Sequence, residues 1–173
     1  MSDLVARFID ELERVAGKAQ RAHSDEHAIE IVQEALRSHH ARTVALAPCA
    51  LANRLESILR TDSYELVSER EIARADVGIS GAELAVAETS SLLISHDGVS
   101  ELVTALPPVH IALIRTDQIV ETLEDAFAFC QRELERTPRD FVFVTGPSRT
   151  ADIELTPVIG VHGPQELLVI VIP

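Results

Sequence analysis

"TVALAPCALANRLESIL", Thr43 to Leu59, carries the fold reading. Thr43 to Ala47 is a short apolar run of strand length, and Pro48 closes it. A helix over Leu51 to Leu59 is expected directly behind it. A strand followed at once by a helix is the start of a crossover unit and points to an α/β domain.

The flanking sequence extends that reading. On the N-terminal side Leu4, Val5, Phe8, Ile9, Leu12 and Val15 recur at helical spacing between charges, which predicts an amphipathic helix. Ser24 is placed as the cap of a second helix, with Asp25 and Glu26 in its first turn and Ala28, Ile31, Val32, Ala35 and Leu36 turned inward. On the C-terminal side Tyr64 to Val67 reads as a strand and Glu69 to Ala73 as a helical turn. "VGISGAELAVAETSSLLIS", Val77 to Ser95, is rich in β-formers broken by Gly81 and Thr89-Ser90-Ser91, so strands folding back on one another are expected. That brings antiparallel strands into a mostly parallel α/β arrangement. A polar turn follows at His96-Asp97-Gly98, Leu102 to Leu106 ends at Pro107-Pro108, and Val109 to Ile114 reads as a buried strand. Asp117 is expected to cap a long helix from Gln118 to Leu134, Phe141 to Val144 to form a central strand, and Leu167 to Ile172 a terminal one. No internal repeat or linker interrupts the chain, and its 173 residues are expected to form one domain over 1–173.

Composition removes several classes of function. Asp and Glu total 28 against 15 Lys and Arg, a formal charge of -13 that repels a phosphate backbone, so nucleic acid is not an expected partner. Met1-Ser2-Asp3 lacks the basic start of a signal peptide, and the apolar runs are too short to span a bilayer, so a cytoplasmic protein is expected. Cys49 and Cys130 form no C-x-x-C and read as buried thiols. Lys18 is the only lysine, in a polar stretch where solvation is the simpler reading than Schiff-base chemistry. There is no Trp and one Tyr, Tyr64, so stacking platforms are scarce. His23 and His27 share a helix face without an H-E-x-x-H pattern or a third ligand, and His39 and His40 are adjacent, so no metal site and no cofactor are expected.

Three stretches hold residues with chemistry. Val144 to Thr150 follows an apolar strand, which places it at that strand's carboxyl end, where open α/β sheets keep ligands. Gly146 permits close backbone approach, Ser148 and Thr150 supply hydroxyls, and Arg149 suits a two-pronged contact to a carboxylate or phosphate. A short helix opening at Thr150 would add free N–H groups, and Asp152 and Glu154 would orient those donors or act as acid-base groups. The same residues also read as a well-capped turn, since the spacing matches neither a P-loop nor G-x-G-x-x-G. Gly160 to Pro164 presents His162 and Gly163 either to a pocket or to a plain turn. Glu88-Thr89-Ser90-Ser91 is a polar hairpin turn or a cleft lining, with Glu88 as candidate base or nucleophile and Thr89 as a ligand contact.

"ADVGISGAELAVAETSSLLIS", "LPPVHIALI", "FVFVTGPSRTADIELTPVIGVHGP" and "ELLVIVIP" resemble, in this order, the LUD-domain proteins of the lactate-utilisation protein C type. The resemblance covers most of Ala75 to Pro173; the first 74 residues fit the family's helix-strand layout without a motif of their own. It implies a three-layer α/β/α fold like that of the sugar-phosphate isomerase and CoA-transferase superfamily. It also implies a part in bacterial oxidation of L-lactate to pyruvate beside two partner proteins, at least one carrying iron–sulfur clusters. Larger relatives hold clusters in cysteine-rich C-terminal extensions; no such extension, no cluster and no longer N-terminal extension of the usual kind are expected here. The family signature groups Gly146, Pro147, Ser148, Ala151, Asp152, Ile153 and Glu154 in one motif, Gly160, His162, Gly163 and Pro164 in another, and Glu88 in a third. Ser90 stands where relatives usually carry Gly, and Arg149 where they vary. Three functions follow: an accessory subunit that binds its iron–sulfur partners and a small organic anion, an enzyme using Glu88 and the Gly146 to Thr150 loop on a small acid or a CoA or phosphate ligand, or an oligomeric structural protein.

Overall fold

The computed structural model describes residues 2–96, 100–136, 140–151, 157–159 and 163–173. The chain begins with α1 (Ser2–Arg14), β1 (Lys18–Arg21), α2 (Asp25–Ser38), β2 (Thr43–Leu46), α3 (Ala52–Thr61), β3 (Glu65–Leu66) and β4 (Val77–Gly81). It continues through β5 (Leu84–Val86), β6 (Ser91–His96), α4 (Ser100–Ala105), β7 (Val109–Arg115), β8 (Ile119–Val120) and α5 (Leu123–Arg136). It closes with β9 (Asp140–Val144), β10 (Arg149–Ala151), β11 (Pro157–Ile159) and β12 (Glu166–Ile172).

Six strands form the central sheet in the order β1-β12-β7-β4-β2-β3, and every neighbouring pair is parallel. Parallel strands need crossovers that cover both faces, which is why Val109 to Ile114 is buried without a break. On one face, Val32 and Leu36 of α2 and Leu55 and Leu59 of α3 meet Val44, Ile79, Ile111 and Ile170. On the other, Val5, Phe8 and Leu12 of α1 meet Ala112, Ile114, Val169 and Val171. Phe8 and Leu12 are fully buried, each stabilising the fold by about 1.5–3 kcal/mol. α2 starts where the sequence placed it: Ser24 Oγ accepts the His27 N–H at 3.1 Å.

The α/β class and the mostly parallel central sheet are as expected. The antiparallel strands lie apart from that sheet, in a second one of order β8-β5-β6-β9 that packs beside α1. Three local expectations change, at Phe141 to Val144, at Asp117 and at Thr150. Phe141 to Val144 lies in β9, the edge of the second sheet and not a central strand, and Val142 is exposed. Asp117 caps no long helix; Ile119 and Val120 pair with Ala85 and Val86, and α5 begins after Thr122, whose N–H and hydroxyl both bond Asp125. Lys18 opens a strand of polar, mostly exposed residues and bonds Glu166 at 2.6 Å. Thr150 lies in β10, paired with β11, so no helix opens there. The expected turn at His96-Asp97-Gly98 falls mostly outside the described residues. Among the described residues no helix is long and apolar enough to cross a membrane.

Candidate functional site

The β5–β6 hairpin turns at Ala87 to Ser90, with Val86 opposite Ser91. Ser90 is buried and left-handed, φ 54°, and its hydroxyl donates to the Thr89 carbonyl at 2.6 Å. The position where the resembled family usually carries Gly is therefore one whose backbone favours Gly. Glu88 is half-buried and accepts the Leu123 N–H at 2.7 Å, so its carboxylate holds the first turn of α5.

β9 pairs with β6, which sets Thr145 beside Ser91. Thr89 donates to Ser91 Oγ at 2.9 Å, and Ser91 Oγ lies 2.6 Å from Thr145 Oγ1. Either of the Ser91 and Thr145 hydroxyls can donate in this bond, and the chain of hydroxyls ends at the exposed Thr145. Next comes Gly146 at φ 74°, where a β-carbon would lie 2.9 Å from the Val15 carbonyl. Ser148 N–H donates to Pro164 O at 2.8 Å, and a β-carbon on Gly163 would lie 2.9 Å from Ser148 Cβ. Close packing thus joins Thr145 to Ser148 with Gly163-Pro164, and hydroxyl bonds join it with Thr89 to Ser91. Arg149 is exposed at the start of β10. The Thr150 side chain, Asp152, Glu154 and His162 fall outside what is described.

A second polar site lies at the other end of the hairpin, at the carboxyl edge of the central sheet. There a cavity of about 610 Å³ is bounded by Pro48 and Cys49 after β2, Gly81 to Glu83 at the end of β4, Arg115 and Gln118 at the end of β7, and Ile172. Ser95 Oγ donates to Glu83 across the hairpin. Gln118 donates to the Ala82 and Glu83 carbonyls at 2.9 and 3.2 Å and accepts the Arg115 N–H at 2.8 Å. Arg115 donates to Asp25 at 3.2 Å and to the Pro173 carbonyl at 3.1 Å. Burial pushes the Cys49 thiol up from its ordinary pKa, which keeps it protonated. Sequence reasoning missed these residues; the available signal was that Gly81 and Arg115 each end an apolar run, where parallel strands present their carboxyl ends.

Deeper in the sheet, His110 is fully buried, with Nε2 2.8 Å from Ser80 Oγ and Nδ1 without a hydrogen-bond partner. Burial lowers its pKa to about 4, so it is neutral near pH 7. His23 and His27 stack at 4.0 Å, and among the described residues no group of three His, Cys, Asp or Glu could hold a metal ion.

The LUD domain model matches residues 5–172 of the chain. Lactate utilization protein C of Deinococcus radiodurans is 36% identical over 108 residues, 61% of this chain and 50% of that protein. Its namesake from Geobacillus sp. strain WCH70 is 37% identical over 103 residues, 57% of this chain and 43% of that one. The chain spans about half the length of the curated relatives it matches. A crystal structure of a DUF162 family protein from Deinococcus radiodurans superposes with a TM-score of 0.76 at 22% identity, covering 99% of this chain and 98% of that one. That likeness shows the fold.

Proposed function

The chain belongs to the LUD domain family, and from that premise we propose that it is a component of a bacterial system oxidising L-lactate to pyruvate, an accessory or small-anion-binding subunit without its own redox centre. The proposal extends to a single domain over residues 1–173, a cytoplasmic setting and iron–sulfur partner proteins. The names of its relatives support the pathway. Its two cysteines support a role without a cluster, because a cluster draws on four thiolates and Cys49 and Cys130 pack in separate parts of the core. The observation that carries the anion-binding part is the hydroxyl chain from Thr89 through Ser91 to Thr145, which ends at an exposed hydroxyl next to the Gly146 to Ser148 turn. Arg149, Thr150, Asp152, Glu154, His162 and Gly163 remain the proposed companions of that site.

Two measurements test this. Deleting the gene should abolish growth on L-lactate while growth on pyruvate continues; unchanged growth on lactate, with no second route present, ends the pathway assignment. L-Lactate or pyruvate should raise the melting temperature of the wild type, and Thr145→Val and Ser148→Ala should each remove the shift.

The competing reading makes Glu88 the nucleophile of a CoA-transferase-like enzyme. One carboxylate oxygen is already engaged in holding α5, which favours a structural role. Gln keeps the acceptor oxygen and Ala does not, so Glu88→Ala should lose about 1 kcal/mol of stability and Glu88→Gln almost none. Label exchange between CoA and a small acid that vanishes in the well-folded Glu88→Gln would restore the enzyme reading.

A further inference from the structure

The chain reverses its direction of travel across the central sheet between β2 and β4. From β2 it passes through α3 outward to β3, whereas after β4 it proceeds the other way to β7 and then β12. The loops leaving β2 and β4 therefore part, and a crevice opens above their carboxyl ends, the place where open α/β sheets take ligands. The cavity of about 610 Å³ is that crevice. Its floor is built on close backbone contact: a β-carbon on Gly81 would lie 3.1 Å from Cys49 Cβ and 3.3 Å from the Pro48 carbonyl.

The lining states what would fit. A volume in the range of roughly 300–1,000 Å³ suits a ligand of nucleotide size, and a three-carbon acid would leave most of it vacant. Pro48, Ala50 and Ala82, exposed or half-buried on the loops, offer an apolar wall for the body of such a ligand. Arg115 stands at the rim, where its guanidinium, with five donors, bonds both Asp25 carboxylate oxygens and the Pro173 carbonyl. The loop then enters α3, whose N-cap Leu51 supplies no capping side chain and whose first turn has no acid. The neighbouring α2 has both, in Ser24, Asp25 and Glu26. The α3 end adds partial positive charge beside Arg115. Glu83, bonded by Ser95, faces the same space as an acceptor for a ligand hydroxyl.

We propose that this crevice binds an organic phosphate of nucleotide size, its phosphate toward Arg115 and the start of α3, its hydroxyls toward Glu83 and its body on the apolar wall. The proposal rests on the fold and the cavity and is independent of the lactate reading, so a failed growth test leaves it standing.

Cys49 lines the crevice and serves as a reporter, while Cys130 is buried on the inner face of α5. The experiment measures alkylation of Cys49 by iodoacetamide at alkaline pH, together with the melting temperature, in the presence of AMP, ATP, CoA, inorganic phosphate or L-lactate. Cys49→Ser identifies the reporting thiol. Ala50 is exposed on the crevice loop, so Ala50→Glu adds a charge that repels an anion yet suits a helix start and leaves the fold intact. At least one of AMP, ATP and CoA should slow alkylation tenfold or more and raise the melting temperature by several degrees, with both effects absent in Ala50→Glu. Protection by none of the three overturns the proposal. So does protection that survives Ala50→Glu, or protection by L-lactate or inorganic phosphate alone equal to that by the nucleotides.

Discussion

At one end of the β5–β6 hairpin, Glu88, Thr89, Ser90 and Ser91 follow one another in the chain and bond partly among themselves and partly to Leu123 and Thr145. At the other end, about 14 Å away by strand rise, Glu83 and Ser95 meet the exits of β2, β7 and β12. The turn end starts from a local device, four consecutive residues, that borrows one partner from the start of α5 and one from the end of β9. The cavity end exists only when four strands separated by over a hundred residues stand in register. A local device fails when its own backbone is disturbed. An assembled one fails when packing beneath it shifts.

Substitutions can break that contrast, and the largest effect belongs to the turn end. Gly146→Ala combines a left-handed backbone with a β-carbon 2.9 Å from the Val15 carbonyl, and should cost about 3 kcal/mol in urea unfolding. The Cys49 alkylation rate should stay at its wild-type value if the two ends are independent. Almost as large is a pH effect from the interior of the central sheet. His110 has a folded pKa of about 4 against about 6.5 unfolded, so the unfolded chain binds more protons between those values. Its contribution is complete above pH 6.5 and falls away by about 3 kcal/mol as pH drops to 4. His110→Leu should flatten that part of the stability profile, and an unaltered slope would remove the assignment.

At the cavity end, Gly81→Val should cost about 2 kcal/mol, because the added carbons press on Cys49 and Pro48. It should change the Cys49 alkylation rate while leaving the hydroxyl chain of Thr89, Ser91 and Thr145 intact by hydrogen exchange. The smallest effect sharpens the turn end: Ser90→Gly should be more stable than Ser90→Ala by about 1 kcal/mol, since both lose the hydroxyl and only Gly sheds the left-handed penalty. Equal stability of the pair would mean that the turn tolerates Cβ without strain.

The same contrast explains what could be read in the sequence. Helices α1 and α2 were legible because Val5, Phe8 and Leu12, or Ile31, Val32, Ala35 and Leu36, repeat at the helical period and are indeed buried. The turn motifs were legible as composition, and the meeting of Thr145 with Ser91 followed from a strand pairing that no single stretch announces. β1 was missed because Lys18, Gln20 and Arg21 of an edge strand face water. The start of α5 was misplaced because Ile119 and Val120 gain more from pairing with β5 than from another helical turn, and the Thr122–Asp125 box then marks the true start. Cys49, Glu83, Ser95, Arg115 and Gln118 formed no pattern, since only the crossover order brings them together.

The parallel pairing of β1 with β12 matches Lys18 with Leu168. On the ribosome the first strand therefore emerges long before its sole neighbour in the sheet exists. At usual synthesis rates that interval is roughly ten to thirty seconds. Throughout it Val5, Phe8 and Leu12 lack the β12 surface they finally cover, so the nascent chain spends its youth with an apolar helix seeking a place to rest. Completion of the sheet is a late event set by translation, and the N-terminal segment must wait for it to cover its apolar face.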